Sequence, residues 1–224
     1  MRMSTLCSET CRTRFRNDLL RRGLPVRANI MDRRVCIIQG HPHGGGTHLC
    51  HAIGDAYAQG ARLAGARVRL IDIGEMDIPF LRNPADFLSA PSQEITLAQE
   101  AINDSHHLIV IYPLWLGTMP AIVKAFFEQV CRNGFAVQND PKGRWPRQML
   151  KGRSARVIVT MGMPALAYRL MFGAHGVRGF EKSILEMSGI APIRETLLGG
   201  VGELDARKAE ALLARMRRLG ERLA

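Results

Sequence analysis

The sequence predicts an α/β fold, a doubly wound five-stranded parallel sheet with helices on both faces. Three observations predict it. Short apolar runs alternate with helical patterns, at about 34–39, 67–73, 107–112, 155–160 and 193–198. The first, third and fourth runs are continuously apolar, as strands buried on both faces are. The second and fifth mix charge with apolar residues, as edge strands do. Together these give the strand order 2-1-3-4-5, whose ligand crevice lies at the carboxyl ends of strands one and three.

The first element sets the pattern. Val35 to Ile38 reads as a buried strand, and the chain then passes through Gly40, Pro42 and Gly44 to Gly46, which break regular structure. Thr47 reads as the N-cap of a helix whose apolar positions are Leu49, Ile53, Ala56, Tyr57, Ala61 and Ala64. A strand, a glycine-rich loop and a helix N-terminus form a phosphate site, because glycine lets backbone approach an anion and the first N–H groups have no intrahelical acceptor. There is no Gly-Lys-Ser/Thr ending and no clean G-x-G-x-x-G. Steric need alone also explains glycines in a βα turn. A sharper competitor is metal, since His41, His43, His48, Cys50 and His51 crowd one segment. No C-x-x-C pair or H-E-x-x-H accompanies them, so the reading takes no metal ligands.

Gly65 closes this helix as a C′ glycine. Residues 74–91 are loop-rich, with Pro79, Pro84 and Pro91, but Ile78, Phe80, Leu81, Phe87 and Leu88 predict a loop packed on the domain. Ser92 followed by Ile95, Ala98, Ala101 and Ile102 predicts a helix. After the central strand Leu108–Tyr112 comes the loop Pro113-Leu-Trp-Leu-Gly117. Thr118 is the expected cap of the next helix, with Pro120 in its first turn and apolar positions from Met119 to Val130. Residues 134–153 predict a basic loop or hairpin. The strand at Arg156–Thr160 leads to a segment holding Tyr168 and His175, then a helix over about Phe180 to Met187. The last helix runs from about Glu203 to Leu223, acidic at its start and arginine-rich toward its end.

Composition bounds the function. The 224 residues are 46% hydrophobic, yet no apolar run approaches the ~20 residues of a membrane span, so membrane insertion is not expected. Five scattered cysteines (7, 11, 36, 50, 131) suggest free thiols in a reducing, cytoplasmic setting. The net charge is +11, of which residues 1–33 supply +5 through eight arginines. That segment has no sustained apolar periodicity and is expected to be a basic, disordered extension, leaving 34–224 as the folded domain. Trp145 among Lys142, Arg144 and Arg147 has the composition of a nucleic-acid patch but no second matching element, so no nucleic-acid partner is expected. Lys124 and Glu128 are spaced as a helix pair, and His106 and His107 read as satisfied residues before a strand.

An ordered set of motifs now stands out: Gly40-His-Pro42, Thr47, Tyr112-Pro-Leu-Trp115, Met119-Pro-Ala-Ile-Val-Lys-Ala-Phe-Phe-Glu128, Gly134-Phe-Ala136, Thr160-Met-Gly162, Tyr168 and His175. This set resembles the flavodoxin-like NAD(P)H:quinone oxidoreductases, the family of DT-diaphorase and the potassium-efflux ancillary reductases, over residues of about 34–200. The resemblance implies FMN or FAD in the crevice, NAD(P)H as co-substrate, a quinone-like acceptor and a homodimer. It implies that His41, Thr47, His48 and Leu49 hold the flavin phosphate. Pro113, Leu114, Trp115 and Leu116 would lie along the flavin ring, and Thr160 and Gly162 would reach its polar edge. Tyr168 and His175 would assist hydride transfer. Met161, Met163 and the spacing of Tyr168 from His175 depart from the family's pattern. A regulatory flavin protein acting on a membrane partner, or a metal protein using the His41–His51 cluster, are the alternatives.

Overall fold

The computed structural model describes residues 33–223, apart from 133, 141, 143 and 144. The expected extension lies outside the described residues except for Arg33. Five parallel strands form the main sheet: β1 (Arg34–Gln39), β2 (Arg67–Asp72), β3 (His107–Pro113), β6 (Ser154–Thr160) and β7 (Ile193–Leu198). They lie in the order β2-β1-β3-β6-β7. The short strands β4 (Val137–Gln138) and β5 (Arg147–Gln148) form a separate antiparallel hairpin inside the basic segment. Without it the order is the 2-1-3-4-5 that the patterning predicts. β2 buries none of its residues fully, while β3 buries six of seven, as edge and centre positions require.

Alternation along the strands divides the core between two faces. Cys36, Ile38, Leu108, Val110, Tyr112, Val157 and Val159 pack with Ile95, Ile102, Val123, Phe126, Phe127 and Phe180. These last come from α3 (Gln93–Asp104), α4 (Ala121–Cys131) and α6 (His175–Phe180). The opposite face is covered by α1 (Leu49–Leu63) and α7 (Ala206–Arg222). These two helices meet backbone to backbone. A Cβ on Gly60 would collide with the Arg217 carbonyl, and one on Gly220 with the Tyr57 carbonyl. Only glycine lets the axes come this close.

Several local expectations change. The N-cap of α1 is His48, at φ −90° and ψ 154°, and Thr47 stands exposed one residue outside. The N-cap of α4 is Pro120, because Thr118 is engaged in a two-way backbone bridge with Trp115. Ser92 does cap α3, accepting from the Ile95 amide, and Asp205 caps α7, accepting from the Lys208 amide. The 74–91 loop holds a 3-10 turn (Ile73–Glu75) and α2 (Pro84–Leu88), but it does not pack by its aromatics. Phe80 is 61% exposed and Leu88 71%. Ile78 does pack, partly buried, against the core, and polar anchors hold the rest of the loop: Gln129 donates to the Pro79 carbonyl at 2.6 Å, and the buried Arg132 guanidinium donates to the Asp86 and Ala90 carbonyls. The segment after β6 is helical, as α5 (Ala165–Phe172), and α6 follows after the left-handed pair Gly173 and Ala174. α6 then continues into a π-helical turn, Glu181–Glu186.

Candidate active site

Three loops leave the carboxyl ends of β1, β3 and β6, the edge where this topology places ligands. The first, Gly40 to His48, is built on close backbone approach. A Cβ on Gly40 would press on the Ile111 carbonyl and Val123, and one on Gly44 would enter the Glu75 carboxylate. The His41 ring stacks on His48 with centroids 3.8 Å apart, and His43 Nδ1 lies 2.8 Å from His48 Nε2. His51 Nε2 lies 3.4 Å from Asp72 Oδ2. Burial lowers the His41 pKa, and the neighbouring imidazoles lower it further. The α1 N-terminus has no acidic residue in its first turn and no side chain capping it. Its leading N–H groups are therefore not taken by a capping carboxylate or hydroxyl, which suits an anion. Among the described residues, no group of three or more His, Cys, Asp or Glu side chains is arranged to hold a metal ion.

The second loop is a tight turn. Trp115 and Thr118 exchange backbone hydrogen bonds of 2.9 and 3.0 Å across Leu116 and Gly117. Both intervening residues have positive φ, +48° and +80°. A leucine held there costs on the order of 1–2 kcal/mol. Leu116 is fully exposed and Trp115 is 51% exposed, so the turn presents apolar surface rather than burying it. Pro113 and Leu114 sit half-buried behind it, and the Leu114 amide donates to the Thr160 carbonyl at 2.7 Å.

The third loop follows Thr160. That side chain is buried, 3.5 Å from Cys50 Sγ, so the hydroxyl faces α1. Gly162 is exposed, with open space where a Cβ would stand. Met161 is buried and its amide donates to the Leu198 carbonyl. Tyr168 is fully buried and donates its hydroxyl to the Gly117 carbonyl at 2.9 Å. His175 is exposed, at the start of α6.

A cavity of about 680 Å³ opens beside the turn. Trp115, Leu116 and His175 line it together, with Met119, Phe180 and Ser183. Eight of the twelve sequence-predicted residues form two groups, and Pro113, Leu114, Thr160 and Gly162 stand at the ends of β3 and β6 outside the cavity. Trp115, Leu116 and His175 share one cavity, with Tyr168 behind its wall. His41, Thr47, His48 and Leu49 form the neighbouring loop and helix start, outside that cavity. Sequence reasoning missed the α6 wall, Gly176 to Ser183. Its one signal is glycine at 176 and 179. A Cβ on Gly176 would collide with the Gly117 carbonyl and Thr118.

The remaining candidates behave as ordinary structure. Lys124 pairs with Glu128 along α4, though it also lines the cavity beside the turn. His106 Nδ1 accepts from the Arg34 amide, and His107 Nδ1 lies 2.8 Å from Ser154 Oγ. Trp145 is exposed, and Arg144 lies outside the described residues.

The family model described as the flavodoxin-like fold matches residues 33–223. An FMN-dependent NADH:quinone oxidoreductase of Nitratidesulfovibrio vulgaris is 25% identical over 199 residues, covering 80% of this chain and 94% of that protein. The NAD(P)H:quinone oxidoreductase structure from Methanothermobacter marburgensis has a TM-score of 0.70 at 22% identity, covering 86% of this chain and 100% of its own. An FMN-dependent NADH-azoreductase from Bacillus anthracis, solved with FMN, has a TM-score of 0.66 at 14% identity, covering 86% and 99%. A match of this extent on a sheet of this order assigns the family: the chain belongs to the flavodoxin-like fold family.

Proposed function

We propose that this protein is a flavin-dependent NAD(P)H oxidoreductase that binds FMN and reduces a quinone-like acceptor. One observation carries the reading. An uncapped, acid-free helix start and an exposed apolar turn stand side by side at the carboxyl ends of adjacent strands β1 and β3. A flavin mononucleotide has those two halves, an anionic phosphate and a flat ring. The FMN-dependent relatives support the same reading. The described residues fit the group: the glycine-backed loop admits a phosphate, and Trp115 and Leu116 are left free to cover a ring.

When bound, a flavin would supply the two-electron hydride chemistry. The protein supplies position. His41, Thr47, His48 and the Leu49 amide hold the phosphate, aided by the α1 dipole. Pro113, Leu114, Trp115 and Leu116 would lie along the ring, and the backbone at Thr160 and Gly162 would reach its polar edge. His175 stands in the cavity wall, where NAD(P)H and the acceptor take turns, and offers a hydrogen bond as charge develops. Tyr168 holds the Trp115 turn through Gly117 and acts as a positioning residue.

The working unit in this reading is a cytoplasmic homodimer. Leu116, Leu166, Leu170 and Met171 are exposed apolar side chains for a second copy to cover. Sedimentation of the purified protein tests that part. Reconstitution tests the flavin: the stripped protein is titrated with FMN, FAD and riboflavin. FMN is expected to bind one per chain, and riboflavin about tenfold more weakly or worse, having lost the phosphate contacts. Failure to take up any flavin would overturn the proposal.

A further inference from the structure

We infer that His41, His43, His48 and His51 act as one proton-accepting cluster at the phosphate loop, so that a flavin phosphate binds with uptake of a proton and is held more weakly as pH rises. The inference rests on the flavin reading and adds His43 and His51 to the site. Three observations carry it. First, the segment from Gly40 to His51 holds four histidines and no lysine or arginine. Positive side-chain charge in this loop can therefore come only from protonated imidazole, whose unperturbed titration falls near ~6.5. Second, the rings converge on the start of α1. His48 is the N-cap residue, His41 stacks on it at 3.8 Å, His43 Nδ1 lies 2.8 Å from its Nε2, and the His51 ring centroid lies 5.7 Å away. Gly46 makes that convergence possible, since a Cβ there would lie 2.6 Å from His48 Nε2 and 3.1 Å from His43 Nδ1. Third, His51 is an unsatisfied ring. Both of its nitrogens are buried without a hydrogen-bond partner, and Nε2 lies 3.4 Å from Asp72 Oδ2, at ion-pair distance.

Contact geometry limits the charge that the cluster carries by itself. Two ring nitrogens 2.8 Å apart share one proton, so His43 and His48 cannot both be imidazolium while that bond stands. A cation on His41 would face any charge on His48 across the 3.8 Å stack. Burial lowers the His41 pKa, a bond to the His43 backbone opposes this, and the imidazoles of His48, His51 and His43 lower it further. The neighbouring elements bring two carboxylates. Asp72, at the end of β2, faces His51, and Glu75, in the 3-10 turn, abuts Gly44 and Gly45. Against Gly40 stand Val123 of α4 and Tyr112 of β3, whose phenol burial keeps protonated. On α1, burial likewise keeps the Cys50 thiol protonated. A phosphate dianion beside the α1 N-terminus changes the balance, because opposite charge at short range favours the protonated rings. By linkage, an anion that raises the proton affinity of the cluster binds more tightly where the cluster is protonated. Affinity is thus greatest at about pH 6 to 7 and falls toward about pH 8, while below about pH 6 the phosphate itself takes a proton and loses charge.

Calorimetry on the flavin-free protein reads the proton directly. FMN is titrated at about pH 7.5 in buffers of different ionisation enthalpy, and its Kd is followed from about pH 6.5 to about pH 8.5. Uptake of about half a proton per FMN and a Kd that rises about tenfold across that range are expected. Riboflavin, without the phosphate, should bind with no uptake and a flat Kd. His43→Gln leaves His48 a hydrogen-bonding neighbour that takes no charge, and should roughly halve the uptake. His43→Gln combined with His48→Gln should remove most of it and flatten Kd near the high-pH value. FMN binding without proton uptake in the wild type would overturn the inference, as would undiminished uptake in the double variant. Inorganic phosphate separates this result from the flavin reading. Followed by NMR of the histidine ring protons, the cluster's titration should move to higher pH when phosphate is added. FMN that fails to bind while phosphate still moves the histidines would count against the flavin reading and leave the cluster standing. Histidines indifferent to both ligands would overturn the cluster.

Discussion

The Tyr168 hydroxyl donates to the Gly117 carbonyl at 2.9 Å, and this bond separates Tyr168 from its expected companion His175. Tyr168 is buried behind the turn, while His175 is exposed in the cavity wall. Their substitutions should therefore differ. Tyr168→Phe frees one carbonyl and loosens the turn, at about 1 kcal/mol of stability, and should raise KM several-fold with a small change in the rate of flavin reduction. His175→Gln should leave stability and bound flavin in place and slow reduction about tenfold or more. Rapid-mixing kinetics with NADH, paired with urea denaturation, reads both. Equal kinetic losses in the two variants would return Tyr168 to direct contact with the reacting ring.

Thr47 is exposed and caps nothing, so Thr47→Glu should fold normally. Its carboxylate would stand beside the α1 N-terminus, where the proposed phosphate lies. Like charges would then meet in a partly desolvated site. The variant should purify without flavin while keeping wild-type circular dichroism. Normal flavin content would remove this loop from the site.

Gly220 sits where α7 crosses α1 with no room for a methyl group. Gly220→Ala should lower stability by about 1–3 kcal/mol as the helices separate, despite alanine's better helix propensity. Urea midpoints measure it. The same substitution at Gly162, which faces open space, should be near neutral for stability.

His107 is buried near Arg156, Arg33 and Arg194, and burial followed by Arg156 lowers its pKa to about 4. The native state thus binds its proton later than the unfolded chain. The resulting stability is complete above about pH 6.5 and is lost as pH falls toward about 4, by at most about 3 kcal/mol. His107→Gln should remove that part of the pH dependence. Urea midpoints of both proteins across this range decide it.

Much of the fold is legible in the sequence because burial on both faces writes continuous apolar runs. Leu108–Tyr112 could only be central, and Arg67–Asp72 could only be an edge. The site is less legible for reasons that lie in particular residues. Thr47 and Thr118 have the chemistry of caps, yet the chain places the cap one or two residues later. Phe80 and Leu88 look like core residues but are exposed, because Gln129 and Arg132 supply the loop's anchorage through polar bonds that no periodicity reveals.

The central claim is hydride transfer through a flavin held at the ends of β1 and β3. Double-mixing spectroscopy under anaerobic conditions tests it most directly. NADH is mixed with the FMN-loaded protein while the flavin absorption bands are followed, and a benzoquinone is added after the first phase. The account predicts bleaching by one equivalent of NADH and full recovery with one equivalent of quinone. FMN that stays oxidised in excess NADH and NADPH, or reduced FMN that quinone does not reoxidise, would contradict it.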